Sequence, residues 1–141
     1  MTDVHAFNNA LIGEYRAKNG EISGVFAGQP LLLLTTTGAK SGQPRTVPLV
    51  YSTDRERMIV VAANWGAPNH PDWFNNLVAN PYVTVELGGN VYGARATIAA
   101  GEERDRLFAQ HTTLLPAFAD YQRNTTRRIP VVTLEPAISE E

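Results

Sequence analysis

The stretch LLLLTTTGAKSGQPRTVPLVYS at residues 31–52 carries the strongest fold signal in the chain, because it predicts two strands joined by a tight turn. Leu31–Thr37 is aliphatic and then β-branched, as buried strands are. Thr46–Ser52 predicts a second strand, and Pro48 within it favours an edge, a bulge or a strand end because proline cannot donate a ladder hydrogen bond. With a third strand predicted at Met58–Ala63, the pattern indicates an antiparallel meander.

The rest of the chain adds more strands and a few helices. Residues 82–87 and 91–99 alternate in polarity around the hairpin signal Gly88-Gly89-Asn90, and Ile129–Leu134 predicts a last strand. Helices are predicted at 3–18, at 73–79 with Asp72 as the cap, at 101–111 and from Pro116. This order predicts a β-rich α+β fold of about six mainly antiparallel strands with peripheral helices, and a closed or split β-barrel would remove exposed strand edges.

The composition limits the classes of function. The chain has 141 residues, which fits a single domain, with 1–30 as an N-terminal helix and loop and 31–136 as the barrel. Its net charge is −2, so no basic excess is present to bind nucleic acid. The lack of cysteine excludes disulfides, thiolate metal sites and iron–sulfur clusters. The three histidines are scattered without metal-ligand spacing, so no metal is predicted.

The N-terminal region predicts neither a signal peptide nor a membrane span. It lacks a basic start followed by an apolar run, and the longest aliphatic run, Leu31–Leu34, is far too short to cross a bilayer. We therefore expect a cytoplasmic protein, either a monomer or a homodimer. For the apolar face of helix 3–18, packing on the core is favoured. A cover over a pocket and a weak association with the inner membrane surface are the alternatives.

The turn Gly38–Arg45 has the composition of an anion site. Its two glycines permit positive φ, while Lys40, Ser41 and Arg45 offer a point charge, a hydroxyl and a planar fork of donors. Together with free backbone N–H groups, these side chains predict a nest for phosphate or carboxylate. The turn is not a Walker loop, because the Gly-Lys-Ser/Thr order is absent and a strand follows. The alternative is an ordinary hairpin turn with solvated basic residues.

A second candidate segment follows the third predicted strand. Two small residues at the strand end would let a flat ring lie against the backbone, two tryptophans offer aromatic walls, and two asparagines offer amide groups to a heterocycle. These residues are Ala62, Ala63, Asn64, Trp65, Trp73 and Asn76. The alternative places Trp73 and Leu77 in the core, because large aromatic residues mostly pack there. With the basic turn, the segment predicts a site for a nucleotide-like or flavin-like ligand.

These segments belong to a longer string of residues that resembles the deazaflavin (coenzyme F-420)-dependent nitroreductase family of actinobacteria. The string comprises 32–45, Pro48-Leu49, Ala62-Ala63-Asn64, Gly66, Pro71, Trp73, Asn76-Leu77, Asn80-Pro81, Val83, Arg128–Val132 and Glu135-Pro136. It spans residues 31–136, which is most of the chain. The resemblance implies a split β-barrel related to flavin-binding reductases, with coenzyme F420 as the cofactor.

The resemblance also implies which residues hold the cofactor. The basic turn would contact its phosphate and polyglutamate tail, and the segments at 48–49 and 62–66 would lie along the deazaflavin. The predicted cofactor-binding residues are Ala39, Lys40, Ser41, Gly42, Gln43, Pro44, Arg45, Pro48, Leu49, Ala62, Ala63, Asn64, Trp65, Gly66, Trp73 and Asn76. Because this cofactor is a polyanion, a basic nest on a mildly acidic protein is electrostatically sensible.

The implied activity is that of an oxidoreductase. A hydride would pass from the reduced deazaflavin to a small quinone, an α,β-unsaturated ketone or lactone, or a nitro compound. We expect Tyr121 to donate a hydrogen bond to the acceptor oxygen, with Asn64 as the second candidate. A structural phenol is the alternative for Tyr121. Leu115, Phe118 and Tyr121 are predicted to line the substrate pocket, and the apolar stretch 115–121 favours an enone or quinone over a nitro compound.

Three other functions are consistent with these residues. The same barrel could hold flavin mononucleotide as an oxidoreductase, since the basic loop could bind its single phosphate. The chain could also be a non-catalytic carrier of the deazaflavin, or an interaction domain whose basic turn is incidental.

Overall fold

The computed structural model describes residues 4–21 and 29–136, so the predicted loop 20–30 lies mostly outside the described residues. Its helices are α1 (Val4–Ala17), α2 (Asp72–Ala79), α3 (Gly101–Leu114) and α4 (Ala117–Arg123). Its strands are β1 (Leu31–Thr37), β2 (Pro44–Val50), β3 (Ser52–Asp54), β4 (Arg57–Val61), β5 (Tyr82–Leu87), β6 (Asn90–Ile98) and β7 (Val131–Pro136). A short 3-10 turn covers Asn64–Gly66.

All seven strands belong to one antiparallel sheet with the order β2-β1-β5-β6-β7-β4-β3. The chain passes from one end of this order to the other at Tyr51, because β2 ends at Val50 and β3 begins at Ser52. Consecutive Cα atoms are about 3.8 Å apart, so both edges come together at this residue and the sheet curls into a half-barrel. The predicted split β-barrel is confirmed, with seven strands rather than six.

The predicted meander is wrong in its third strand. β4 pairs with β3 and β7 and not with β2, and the predicted strand Thr46–Ser52 is divided at Tyr51. Four of the five β4 residues are buried, so this strand needs a neighbour on each side and a core on each face. β2 pairs with β1 alone within the sheet, so Pro48 lies on an edge strand as expected.

The core lies on both faces of the curled sheet. Inside the curl, aliphatic side chains of the strands pack against α2, whose Trp73 and Leu77 are buried, as the packing alternative predicted for both residues. Outside it, Leu107 of α3 packs on β4 and β7. At about 25 cal/mol per Å² of apolar surface removed from water, burial on two faces is the main stabilising contribution.

Helix α1 packs on the sheet through Leu11, Ile12 and Tyr15, which confirms core packing for its apolar face. Asn8 and Leu11 of this helix also line a cavity, as the pocket-cover alternative predicted. The buried Tyr15 hydroxyl donates to the Leu31 carbonyl at 3.0 Å and accepts the Gly88 N–H at 2.9 Å. This hydroxyl therefore ties α1 to β1 and to the β5–β6 turn. No helix in the described part of the chain is long and apolar enough to cross a membrane.

Two local predictions have different outcomes. Gly88-Gly89 forms the predicted hairpin turn, since Leu87 and Asn90 are register partners across it. Asp72 is not the cap of α2: the helix begins at Asp72 itself, Pro71 occupies the capping position, and no side chain caps the helix. Proline has no side-chain acceptor, and its carbonyl accepts the N–H groups of Phe74 at 3.1 Å and Asn75 at 3.4 Å.

Candidate functional site

The turn between β1 and β2 is closed by its own hydrogen bonds. Gly38 N–H donates to the Gln43 carbonyl at 2.8 Å, Gly42 N–H donates to the Gly38 carbonyl at 2.9 Å, and Gln43 N–H donates to Ser41 Oγ at 3.1 Å. Gly42 has a φ of +71°, a conformation that favours glycine. Local hydrogen bonds therefore determine the shape of the turn.

The turn presents unpaired positive charge. Neither Lys40 nor Arg45 forms an ion pair with any described residue, and both side chains are exposed. The N–H groups of Lys40 and Ser41 also have no acceptor within the described ranges. Unpaired cations next to free amide donors are the arrangement that binds a phosphate or carboxylate.

Asn76 attaches the turn to α2. Its buried side-chain Oδ1 accepts the Ala39 N–H at 2.9 Å, and its Nδ2 donates to Thr36 Oγ1 at 3.1 Å. Both ends of the amide therefore bind the protein itself. Asn76 positions the turn rather than offering its amide to a heterocycle.

A polar cavity of about 990 Å³ lies beside this turn, between α1 and α2. The predicted cofactor-binding residues in its lining are Ala39, Lys40, Ser41, Pro44, Arg45, Trp73 and Asn76. Gly42 and Gln43 do not line it; both make hydrogen bonds within the turn. Arg16 of α1 lines it as well and donates a two-pronged hydrogen bond to Glu86.

An apolar cavity of about 540 Å³ lies next to the polar one. The predicted residues in its lining are Pro48, Leu49, Ala63, Asn64, Trp65, Trp73, Leu115, Phe118 and Tyr121. The structure thus brings the predicted ring site and substrate pocket into one cavity. Two predicted residues lie outside it: Ala62 is fully buried in the core, and Gly66 packs against the backbone of α4.

The two cavities adjoin, since Asn8, Val47 and Trp73 line both. One groove therefore runs from the basic turn to the apolar wall formed by α4. A ligand with an anionic tail and a flat, mostly apolar ring matches this division. The donor set thus fits a deazaflavin nucleotide: cations and amides at one end, apolar and aromatic side chains at the other.

Three consecutive residues with positive φ form part of the apolar wall. The angles are +47° at Asn64, +60° at Trp65 and +81° at Gly66. A bulky residue rarely adopts this conformation, which places the Trp65 side chain 71% exposed at the cavity. The Trp65 ring meets the Tyr121 ring edge to face with centroids 5.8 Å apart.

Tyr121 and Asn64 differ in how free their polar groups are. The Tyr121 hydroxyl has no hydrogen-bond partner among the residues the structure describes, although the residue lines the cavity. Asn64 Nδ2 donates to the Asn69 carbonyl at 3.0 Å, so this amide group is already partly engaged. A buried structural phenol normally finds a partner, and the free hydroxyl therefore favours Tyr121 as a donor to a ligand.

Comparison with known proteins decides the family. Residues 10–136 match the family described as F420H(2)-dependent quinone reductase. The chain belongs to this family. The family predicted from the sequence, that of deazaflavin-dependent reductases, is confirmed, and its description names a quinone rather than a nitro compound.

The chain is also similar to individual proteins described as F420-dependent reductases. An F420H(2)-dependent quinone reductase of Mycobacterium tuberculosis is 40% identical over 124 residues, covering 85% of this chain and 83% of that protein. A solved structure of an F420-H2 dependent reductase is 41% identical with a TM-score of 0.69, covering 75% of this chain and 94% of that one. A second, described as a domain-swapped dimer, is 37% identical with a TM-score of 0.71, covering 90% and 93%.

Two polar residues that the sequence patterns did not single out lie behind this groove. The Arg127 guanidinium donates to the carbonyls of Ala62, Ala63 and Ala67, and burial lowers its pKa. His111 is fully buried and shares a hydrogen bond of 2.7 Å with Ser52. Burial lowers the His111 pKa to about 4. The only sequence signal for Arg127 is its position directly before the matched string Arg128–Val132, and His111 gives none.

The structure describes no cluster of three or more His, Cys, Asp or Glu side chains with the spacing of a metal site within residues 4–21 and 29–136. His70 and His111 lie apart, and each bonds locally: His70 with Arg127 and His111 with Ser52.

Proposed function

We propose that this protein reduces a quinone-type acceptor with reduced coenzyme F420. The observation that carries the proposal is the single groove that joins an unpaired basic turn to an apolar, aromatic cavity. Membership of the F420H(2)-dependent quinone reductase family supports the same cofactor and acceptor class. When bound, the reduced deazaflavin supplies a hydride.

The basic turn would hold the tail of the cofactor. Lys40 and Arg45 have no acidic partner among the described residues, so binding an anion breaks no ion pair there. The Ser41 hydroxyl and the free N–H groups of Lys40 and Ser41 add donors in a fixed arrangement. Because Asn76 holds the turn from behind, little ordering of the backbone is needed on binding.

The apolar cavity would hold the ring and the acceptor. Pro48, Leu49 and Ala63 offer small, non-polar surfaces on which a flat ring can lie. Leu115 and Phe118 line the same cavity from the side of α4 and keep it apolar. An apolar lining excludes water from the reacting groups and favours a quinone over a charged or strongly polar acceptor.

Tyr121 would stabilise the charge that develops on the acceptor oxygen. Tyr121 lines the cavity and its hydroxyl has no hydrogen-bond partner within residues 4–21 and 29–136, so it can donate a hydrogen bond to a ligand. Asn64 is the second donor. One N–H of its side-chain amide binds the Asn69 carbonyl, and the other would donate to the ligand. In this proposal the protein orients both reactants and supplies one or two hydrogen bonds to the acceptor.

Anaerobic oxidation of the reduced cofactor tests the proposal. The purified protein is mixed with reduced deazaflavin and, in separate arms, a naphthoquinone, a cyclic enone and a nitroimidazole. We expect the quinone to give the highest kcat/KM. Tight binding of the deazaflavin without turnover in any arm would support a carrier instead. Preferential binding of flavin mononucleotide would support the alternative cofactor, and binding of neither would contradict both enzyme functions.

Oligomeric state and location stay predictions. The monomer or homodimer expected from the sequence has one supporting observation, the structural relative described as a domain-swapped dimer. Association with a membrane surface through α1 has no support from the described residues, because Leu11, Ile12 and Tyr15 of that helix pack into the core.

A further inference from the structure

One arginine holds the strained turn in the wall of the apolar cavity. Arg127 follows α4, and its guanidinium donates to the carbonyls of Ala62 at 3.1 Å, Ala63 at 2.7 Å and Ala67 at 2.9 Å. It also donates to His70 Nδ1 at 3.0 Å. All four acceptors lie within nine residues of one another, on both sides of the turn Asn64–Gly66.

This turn requires support from outside itself. Asn64 and Trp65 adopt positive φ, which non-glycine residues rarely do, and such conformations persist where surrounding contacts over-determine them. Its internal hydrogen bonds are few: Gly66 N–H donates to the Ala63 carbonyl, and Ala67 N–H donates to the Asn64 carbonyl, both at 2.9 Å. The Ala63 carbonyl therefore accepts from both the turn and Arg127, which couples the two.

The turn also packs against α4 without spare room. A Cβ atom at Gly66 would lie 2.9 Å from the Tyr121 carbonyl oxygen, so only glycine permits this approach. The Trp65 ring meets the Tyr121 ring at the same place. The position of the turn thus determines how Trp65 and Tyr121 face the cavity.

We propose that Arg127 is a positioning residue for the reaction, because its guanidinium holds the Asn64–Gly66 turn where Asn64, Trp65 and Tyr121 can meet the acceptor. The inference rests on the proposed function for its kinetic consequence but not for its structural one. Arg127 lines neither cavity and touches no reactant, so it acts through the backbone it binds. The planar fork is essential, since three carbonyls in different directions need donors in a fixed geometry.

Arg127→Lys tests the proposal, with Arg104→Lys as the matched control. Arg104 is buried, whereas Arg127 is half-buried, and it also donates to backbone, to the Ile129 carbonyl. It donates to Gln122 Oε1 of α4 as well, but it makes no hydrogen bond to residues 62–70. We expect R127K to lower kcat about 10- to 100-fold, because displacement of catalytic groups by about 1 Å is enough for that loss. Cofactor Kd should change by a smaller factor than kcat, because the basic turn that would hold the tail makes no contact with Arg127. R104K should keep kcat within about twofold.

A spectroscopic readout separates positioning from general destabilisation. Near-ultraviolet circular dichroism reports fixed aromatic packing, and the contact between Trp65 and Tyr121 should contribute to it. We expect R127K to change this spectrum and R104K to leave it largely unchanged. This measurement needs no substrate, so it tests the hold on the turn even where quinone reduction is absent.

A second variant keeps the test decisive where R127K fails to fold. Gly66→Ala moves the turn away from Tyr121 without altering Arg127, and it should reproduce a loss of kcat that is larger than the change in cofactor Kd. Equal kcat loss in R127K and R104K would overturn the proposal. An unchanged spectrum with kcat near that of the parent would overturn it as well, and so would full activity of G66A.

Discussion

The two ends of the groove are built in different ways. The basic turn is closed by hydrogen bonds between residues at most five positions apart, and Asn76 binds it from outside through the Ala39 N–H. The apolar wall is assembled from β4, the strained turn Asn64–Gly66 and α4, and it is held by Arg127 more than 55 positions along the chain. The basic end is therefore determined by neighbouring residues, whereas the apolar end exists only after folding.

Charge reversal should break the basic end with the largest effect. In the double variant Lys40→Glu and Arg45→Glu, two unpaired cations become anions facing an anionic tail. We expect cofactor Kd to rise by about 100- to 1000-fold at low salt, and by less at high salt because exposed charges are screened. Titration at two ionic strengths measures both effects.

The control for this experiment is Arg95→Glu. Arg95 is an exposed cation on β6 that lines neither cavity, so its reversal should leave Kd within about twofold. Affinity that survives the double reversal would show that the tail lies elsewhere.

A fall in pH should lower the free energy of unfolding through His111, which lies behind the apolar end of the groove. The pKa of His111 falls from 6.5 to about 4 because burial disfavours its charged form. Between pH 6.5 and about 4 the unfolded chain therefore binds a proton that the folded protein does not, so stability decreases as the pH falls and the loss levels off below about pH 4. The shift corresponds to at most about 3 kcal/mol of unfolding free energy.

Denaturant unfolding at several pH values measures this loss, with His111→Asn as the comparison. The variant should lose the part of the pH dependence between 6.5 and 4 that His111 contributes. His70, whose pKa is also lowered by burial and by Arg127, titrates in both proteins. Asp54 does not confuse the result, because hydrogen bonds from Arg106 and Arg57 lower its pKa to about 2, and its titration affects stability only below about pH 4. An identical slope in both proteins would contradict the assignment.

Removing one hydroxyl sharpens the comparison at the apolar end. Tyr121→Phe keeps the ring contacts with Trp65 and Phe118 but deletes the donor. We expect kcat for the quinone to fall about tenfold with cofactor Kd unchanged, because the hydrogen bond is needed most as charge develops. Tyr82→Phe, at an exposed tyrosine on β5 outside both cavities, serves as the control. Unchanged kinetics in Y121F would leave Tyr121 as a packing residue.

Several elements were predictable because their signals are local. The aliphatic run at β1, the Gly88-Gly89 hairpin and the glycines of the basic turn each depend on neighbours in the chain. The resemblance to a known family implied the split β-barrel, the cofactor and the residues that would bind it. Asn76 was predicted as a site residue, but its role in holding the turn through the Ala39 N–H follows only from the fold.

The wrong predictions concern features that residue types do not specify, because they depend on how the chain packs. The apolar run of β4 indicates a buried strand. It does not indicate which strands pair with it, so the pairing with β3 and β7 could not be predicted. Asp72 has the right chemistry for a cap, yet Pro71 occupies that position in the folded helix. The positive φ of Trp65 has no sequence signal, and the ring of this residue contacts Tyr121 of α4, 56 positions along the chain.

The β-rich class, the chemistry of the basic turn and the family follow from residue types and short spacings alone. The meeting of the sheet edges at Tyr51, the wall formed by the turn Asn64–Gly66 and α4, and the hydrogen bonds from Arg127 to that wall follow from the fold. Those arrangements depend on contacts between residues far apart in the chain. Many alternative pairings would bury as much apolar surface, and only the packed fold selects among them.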